Sequence, residues 1–124
     1  MDKKKILIVE DESTLHRALS EYLEMEGFEV LNAVDGEAGV DIAKSSKPDL
    51  VILDIILPKK DGYQVLTEIK SGKSTKSIPV ILLTNLESPE DIQKAFEKGA
   101  TTYLVKSSYK LEDVVKKIKE VLKI

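Results

Sequence analysis

Three unbroken apolar runs, Ile6-Leu7-Ile8-Val9, Leu50-Val51-Ile52-Leu53 and Val80-Ile81-Leu82-Leu83, constrain this chain more than any other feature. Each is rich in β-branched residues and none alternates with polar positions, the pattern of strands buried on both faces of a parallel sheet. Tyr103-Leu104-Val105 is a shorter fourth run. Phe28 to Ala33 mixes apolar residues with Glu29 and Asn32, which suits an edge strand. Parallel strands need long crossovers, and helical patterns fill the intervals. Leu15, Ala18, Leu19, Tyr22 and Leu23 recur at the spacing of one helix face, with Gly27 as a stop signal. Asp35 to Lys44 predicts a weaker helix, and Val65, Leu66 and Ile69 mark a third after the turn Asp61-Gly62. Ser88-Pro89-Glu90-Asp91 has the cap, proline and acids of a helix start, followed by Ile92, Ala95 and Phe96. Leu111, Val114, Val115, Ile118, Val121 and Leu122 give the last helix. Five β-α repeats with short connections predict an α/β doubly wound parallel sheet with helices on both faces.

Length and composition narrow the function classes. At 124 residues the chain is expected to be one domain, spanning 1–124. There is no cysteine, hence no disulfide framework, thiolate metal site or thiol nucleophile. The opening residues lack the apolar core of a signal peptide, and no apolar run approaches the ~20 residues of a membrane span, so a cytoplasmic protein is expected. The 22 acids exceed the 19 bases, a net charge of −3, which argues against direct nucleic-acid binding.

The strand ends carry the chemistry. The first run ends in Glu10-Asp11, the third strand in Asp54, the fourth in Thr84 and the fifth in Lys106. In an open parallel sheet all carboxyl ends share one edge, where ligands bind. A strand must end in something polar, so any one of these residues would be unremarkable; four of five strands ending in complementary chemistry points to a site. Three clustered carboxylates raise one another's pKa unless a cation intervenes, and one lysine cannot neutralise three. An all-oxygen donor set selects a hard cation, Mg²⁺ in preference to a dedicated Ca²⁺ cage. Metal, lysine and hydroxyl together suit a phosphoryl group, and a carboxylate can itself accept one.

Glu10-Asp11, Asp54 with Leu57-Pro58 and Asp61-Gly62 following, Thr84, and Gly99-Ala100 before Tyr103 and Lys106 closely resemble the CheY-like receiver domains of two-component response regulators. The resemblance covers essentially the whole chain and implies a five-stranded flavodoxin-like sheet in order 2-1-3-4-5. It implies that Asp54 accepts a phosphoryl group from a sensor histidine kinase or a histidine phosphotransfer protein. Asp11, Asp54 and the backbone carbonyl of Ile56 would hold Mg²⁺, for which Mn²⁺ could substitute, with Glu10 acting mainly through metal-bound water. Lys106 and Thr84 would contact the phosphoryl oxygens. Thr84 and Tyr103 would then shift the face formed by the fourth helix, fifth strand and fifth helix toward an output protein. Such a domain is a regulatory phosphoacceptor rather than an enzyme, with at most self-phosphorylation from small donors and slow autodephosphorylation.

The chain departs from the family in places. Ser107 replaces the proline that usually follows the lysine, and Asn85 replaces a small residue after Thr84. The two positions that tune dephosphorylation in the family, Ile56 and Leu86, are both apolar, which implies slow hydrolysis. A monomer is expected, with weak dimerisation on phosphorylation an option, and the chain reads as a stand-alone regulator or an excised receiver. The rival reading is a degenerate receiver acting as a phosphorylation-independent interaction module. A haloacid-dehalogenase-type hydrolase would carry a second aspartate where Ile56 stands, and a nucleotide-binding domain would carry a glycine-rich loop where Glu10-Asp11-Glu12-Ser13 stands. His16, the single histidine, is expected to face solvent beside the apolar stripe, and Tyr22 and Phe96 to lie in the core. The lysines Lys110, Lys116, Lys117, Lys119 and Lys123, interleaved with acids, read as a solvated helix face.

Overall fold

A computed structural model describes residues 3–124. Its elements alternate without exception: β1 (Lys5–Val9), α1 (Ser13–Met25), β2 (Glu29–Ala33), α2 (Gly36–Ser46), β3 (Leu50–Leu53), α3 (Gly62–Ser71), β4 (Val80–Thr84), α4 (Pro89–Glu97), β5 (Thr102–Val105) and α5 (Leu111–Leu122). A 3₁₀ turn, Lys106–Ser108, joins β5 to α5. The strands form one sheet in the order β2-β1-β3-β4-β5, and every pairing is parallel. This is the doubly wound arrangement expected from the sequence, with the mixed-polarity strand β2 at one edge.

The continuous apolar runs are buried on both faces because the sheet has a core on each side. Leu7, Val9, Val51, Leu53, Val80 and Leu82 pack with Val40 and Ala43 of α2, Val65, Leu66 and Ile69 of α3, and Ala95 of α4. The alternate residues Ile6, Ile8, Leu50, Ile52, Ile81 and Leu83 pack with Leu19 and Leu23 of α1 and Val114, Val115 and Ile118 of α5. Residues two apart along a strand share a face, so one run of four serves two cores. Among the described residues no helix is long and apolar enough to cross a membrane.

Local signals act where the sequence placed them. Asp61 caps α3 by accepting from the Gln64 N–H, and Ser88 caps α4 by accepting from the Asp91 N–H, with Pro89 next. Gly27 ends the turn after α1 at φ +94°, a conformation that glycine alone adopts without strain. The lysine-rich face of α5 is solvated, Lys117 pairing with Glu120 and Lys119 with Glu26 across to α1.

Two expectations are corrected. Phe96 is not a core residue: α4 buries only Ala95, and Phe96 is 48% exposed. His16 does not face solvent. It is 8% exposed and lies on the same face as Leu19 and Leu23, at i, i+3 and i+7.

Candidate functional site

The carboxyl ends of β1, β3, β4 and β5 come together at one edge of the sheet. Glu10 and Asp54 follow β1 and β3 directly and are buried, 4% and 6% exposed. Their backbones are locked to the sheet: the Glu10 N–H donates to the Ala33 carbonyl, and the Asp54 N–H to the Val9 carbonyl. Asp11 stands next in the chain and is exposed. One carboxylate oxygen from each of Glu10, Asp11 and Asp54 lies within 4.8 Å of the others. The sequence expectation that three acids converge therefore has a definite geometry.

Lys106, in the 3₁₀ turn after β5, reaches into this cluster. Its Nζ is 2.7 Å from Glu10 Oε1 and 2.7 Å from Asp54 Oδ2. The other Asp54 oxygen, Oδ1, accepts from the Ile55 N–H at 2.7 Å and, more weakly, from the Ile56 N–H at 3.4 Å. Ser107 does not disturb the approach, and the described peptide bonds are all trans.

Burial pushes the Glu10 carboxyl above its ordinary value, and Asp54 adds to that rise, while Lys106 and the Glu12 N–H oppose it. For Lys106 burial pulls the ammonium down, but its hydrogen bonds to Asp54 and Glu10 more than reverse this, so its pKa is raised. At Glu10 desolvation outweighs the opposite charge, whereas at Lys106 the two carboxylate partners outweigh desolvation. One ammonium against three carboxylates leaves two negative charges in a partly buried, all-oxygen cluster. A divalent hard cation matches that remainder in charge and in ligand type. The donor set thus fits the Mg²⁺ expected from the sequence, with Glu10, Asp11 and Asp54 as the residues able to hold it.

The remaining expected residues flank the cluster. Thr84 is fully buried at the end of β4, and its Oγ1 accepts from the Leu86 N–H at 3.4 Å. Tyr103 is half-buried on β5, and its hydroxyl donates to the Leu86 carbonyl. Burial, with the charges of Asp91 and Asp54, pushes the Tyr103 phenol up to about 12. Leu86, expected from the resemblance as a dephosphorylation-tuning position, is through its backbone the link between Thr84 and Tyr103. Ile56 is 61% exposed beside Asp54, and Asn85 is exposed.

Two features escaped the sequence reading. His16 places Nδ1 2.7 Å from the Glu10 carbonyl oxygen and Nε2 2.6 Å from Asn32 Oδ1. Its i, i+3, i+7 spacing with Leu19 and Leu23 was the available signal. Tyr63 of α3 donates to the backbone carbonyl and Oδ1 of Asp91 on α4, at 3.2 and 3.1 Å, with Lys94 stacked 4.2 Å from its ring centre. No periodicity in the sequence signals a contact between two helices.

Residues 6–119 match the family model described as "Response regulator receiver domain". A probable transcriptional regulator, ycf27, from Porphyridium aerugineum is 40% identical over 106 residues, covering 86% of this chain and 43% of that protein. The chain thus spans about half the length of the curated relatives it matches. Among solved structures, the phosphorylated cyanobacterial phytochrome response regulator RcpA is 36% identical, with a TM-score of 0.83 over 96% of this chain and 93% of that one. The receiver domain of sensor histidine kinase PA1611 from Pseudomonas aeruginosa PAO1, with magnesium coordinated in its active-site cleft, is 25% identical, with a TM-score of 0.90 over 99% of this chain and 100% of that one.

Proposed function

We propose that this chain, which belongs to the response regulator receiver domain family, takes a phosphoryl group onto Asp54 from a phosphohistidine of a sensor kinase or phosphotransfer protein. A carboxylate oxygen of Asp54 forms the new P–O bond as the P–N bond to the donor imidazole breaks, its electron pair leaving with that ring. The observation that carries this reading is the setting of Asp54: buried, hydrogen-bonded to Lys106 at 2.7 Å, and grouped with Glu10 and Asp11 within 4.8 Å. A bound Mg²⁺ would supply charge neutralisation for the carboxylates and for the incoming phosphoryl oxygens. Asp11, Asp54 and the Ile56 carbonyl are its proposed direct ligands, with Glu10 acting through water and Mn²⁺ as a possible substitute.

Lys106 pairs with a phosphoryl oxygen once Asp54 carries the acyl phosphate. Thr84 accepts from the Leu86 N–H, so its own proton remains available for another phosphoryl oxygen. A shift of Thr84 toward Asp54 carries Leu86 with it and alters the carbonyl to which Tyr103 donates. That backbone link supports a switch in which one new charged group biases the face made by α4, β5 and α5. An output protein reads this face, and the chain is a monomer that associates at most weakly when phosphorylated. Because Ile56 and Leu86 offer no polar side chain to orient a water, the aspartyl-phosphate persists.

The test is intact mass after incubation with Mg²⁺ and a small acyl-phosphate donor, wild type against Asp54→Asn. The expected result is one phosphate adduct that needs both Mg²⁺ and Asp54 and outlasts several minutes after donor removal. If neither the small donor nor a phosphorylated kinase gives an adduct, the phosphorylation-independent interaction module takes its place.

A further inference from the structure

Among the described residues His16 is the one buried polar residue beside the site that the proposed chemistry does not use. It sits in the first turn of α1 and touches two other elements. The Glu10 carbonyl oxygen, 2.7 Å from Nδ1, can only accept, so Nδ1 carries the hydrogen. The Asn32 amide on β2, 2.6 Å from Nε2, offers an acceptor or, after a half-turn, a donor. The ring is therefore held by both nitrogens whether it is neutral or charged.

The residue it holds is the most constrained in the site. Glu10 is fixed at its N–H by Ala33 at 3.1 Å, at Oε2 by the Glu12 N–H at 2.9 Å and at Oε1 by Lys106 at 2.7 Å. His16 supplies the fourth point, at the carbonyl. That carbonyl belongs to the peptide unit leading into Asp11. Among the described residues the Asp11 carboxylate makes no hydrogen bond within the protein, so its placement is set by the backbone on which it stands.

We propose that His16 is a positioning residue: its Nδ1–H hydrogen bond to the Glu10 carbonyl orients the peptide leaving β1 and so aims Glu10 and Asp11 at Asp54 for divalent-cation binding. This inference rests on the reading of the acidic cluster as a cation site. Groups that orient metal ligands without touching the metal commonly change affinity about 10–100-fold when removed.

The experiment is a Mg²⁺ titration of the full chain, followed through backbone amide resonances around Asp11 and Asp54, for wild type, His16→Leu, His16→Asn and His16→Gln. Denaturant midpoints are measured alongside. His16→Leu fills space without a donor and is expected to weaken Mg²⁺ binding about 10-fold or more. His16→Asn places an amide nitrogen where Nδ1 was and is expected to recover most of the loss. His16→Gln, whose donor reaches toward the Nε2 position, is not. All three lose ring packing, so stability falls in each, and affinity alone separates them. Should His16→Leu fail to fold, the Asn and Gln variants carry the same contrast. Wild-type affinity in His16→Leu, or equal weakening in Asn and Gln, overturns the proposal in favour of simple core packing. A wild-type chain that takes no Mg²⁺ overturns the cation site itself, and this inference with it.

Discussion

Tyr103 shows how a side chain just outside the acidic cluster is tuned by the same burial and charge that shape it. Burial, then the negative charges of Asp91 and Asp54, oppose ionisation and push the phenol up to about 12 from an ordinary 10.0. The neutral form is also the one that can donate to the Leu86 carbonyl. A group whose folded pKa exceeds its unfolded value contributes stability that is fully present below the unfolded pKa. Here that contribution holds up to about pH 10 and is lost as pH rises through 12. Each pKa unit corresponds to about 1.4 kcal/mol, so the loss is at most ~2 kcal/mol once partial exposure is allowed for. The difference in tyrosinate absorbance between wild type and Tyr103→Phe should show a midpoint near 12, and a midpoint near 10 would mean the hydroxyl is not held as described. The acids, Thr84 and Lys106 were legible in the sequence because strand ends in a parallel sheet must converge. For His16 the only signal was its i, i+3, i+7 spacing with Leu19 and Leu23, which a polar side chain on a helix outweighs until its two partners are seen.

At the scale of elements, the path of the chain from β3 into α3 is braced against Asp54. The Gly62 N–H donates to the Ile55 carbonyl at 2.7 Å, and a Cβ on Gly62 would lie 2.3 Å from the Asp54 carbonyl oxygen and 2.4 Å from the Ile55 Cα. Those are backbone atoms, which cannot swing aside. Gly62→Ala should therefore cost roughly 1–3 kcal/mol, as overpacking does, and displace Asp54 from its partners. Gly27→Ala makes the matched control. Nothing lies within 4 Å of the added Cβ, but the φ of +94° is strained for alanine, at a cost on the order of 1 kcal/mol. Denaturant midpoints should fall for both variants, while the yield of phosphate adduct should fall only for Gly62→Ala. Equal yields would mean that α3 does not hold Asp54 in place. The sequence marked Asp61-Gly62 as a turn ahead of α3, and Asp61 indeed caps that helix. The approach of α3 to β3 depends on tertiary packing and leaves no periodic signal. The Phe96 error has a related origin, since α4 has nine residues and too few turns for spacing to separate a buried stripe from a neighbouring exposed one.

For the molecule as a whole, alternation of strands and helices determined that the sheet is parallel, but not the strand order. The order β2-β1-β3-β4-β5 came from the resemblance of the motifs, because several orders would bury the same apolar runs. Its consequence is an uneven distribution of stability. The central strands β1, β3 and β4 are apolar and buried on both faces, and α5 buries Val114, Val115 and Ile118. Helix α4 buries only Ala95, caps its own first turn through Ser88 and Asp91, and is tied to α3 by the hydrogen bonds of Tyr63 to Asp91. Elements held by few apolar contacts open at lower free energy than the core, and moving parts of switches come from that end of the range. Amide hydrogen exchange should therefore be faster in α4 than in β1, β3, β4 or α5. Tyr63→Phe, which removes the hydroxyl but keeps the ring under Lys94, should raise α4 exchange further by about 3–10-fold, the effect of a hydrogen bond contributing about 1 kcal/mol. Phosphorylation of Asp54 should change exchange between Thr84 and Val105 while leaving α1 and β2 as they were. If α4 exchanges as slowly as the central strands, the helix is too firmly anchored to relay a change from Thr84 and Leu86, and the signal would have to leave the site by another face.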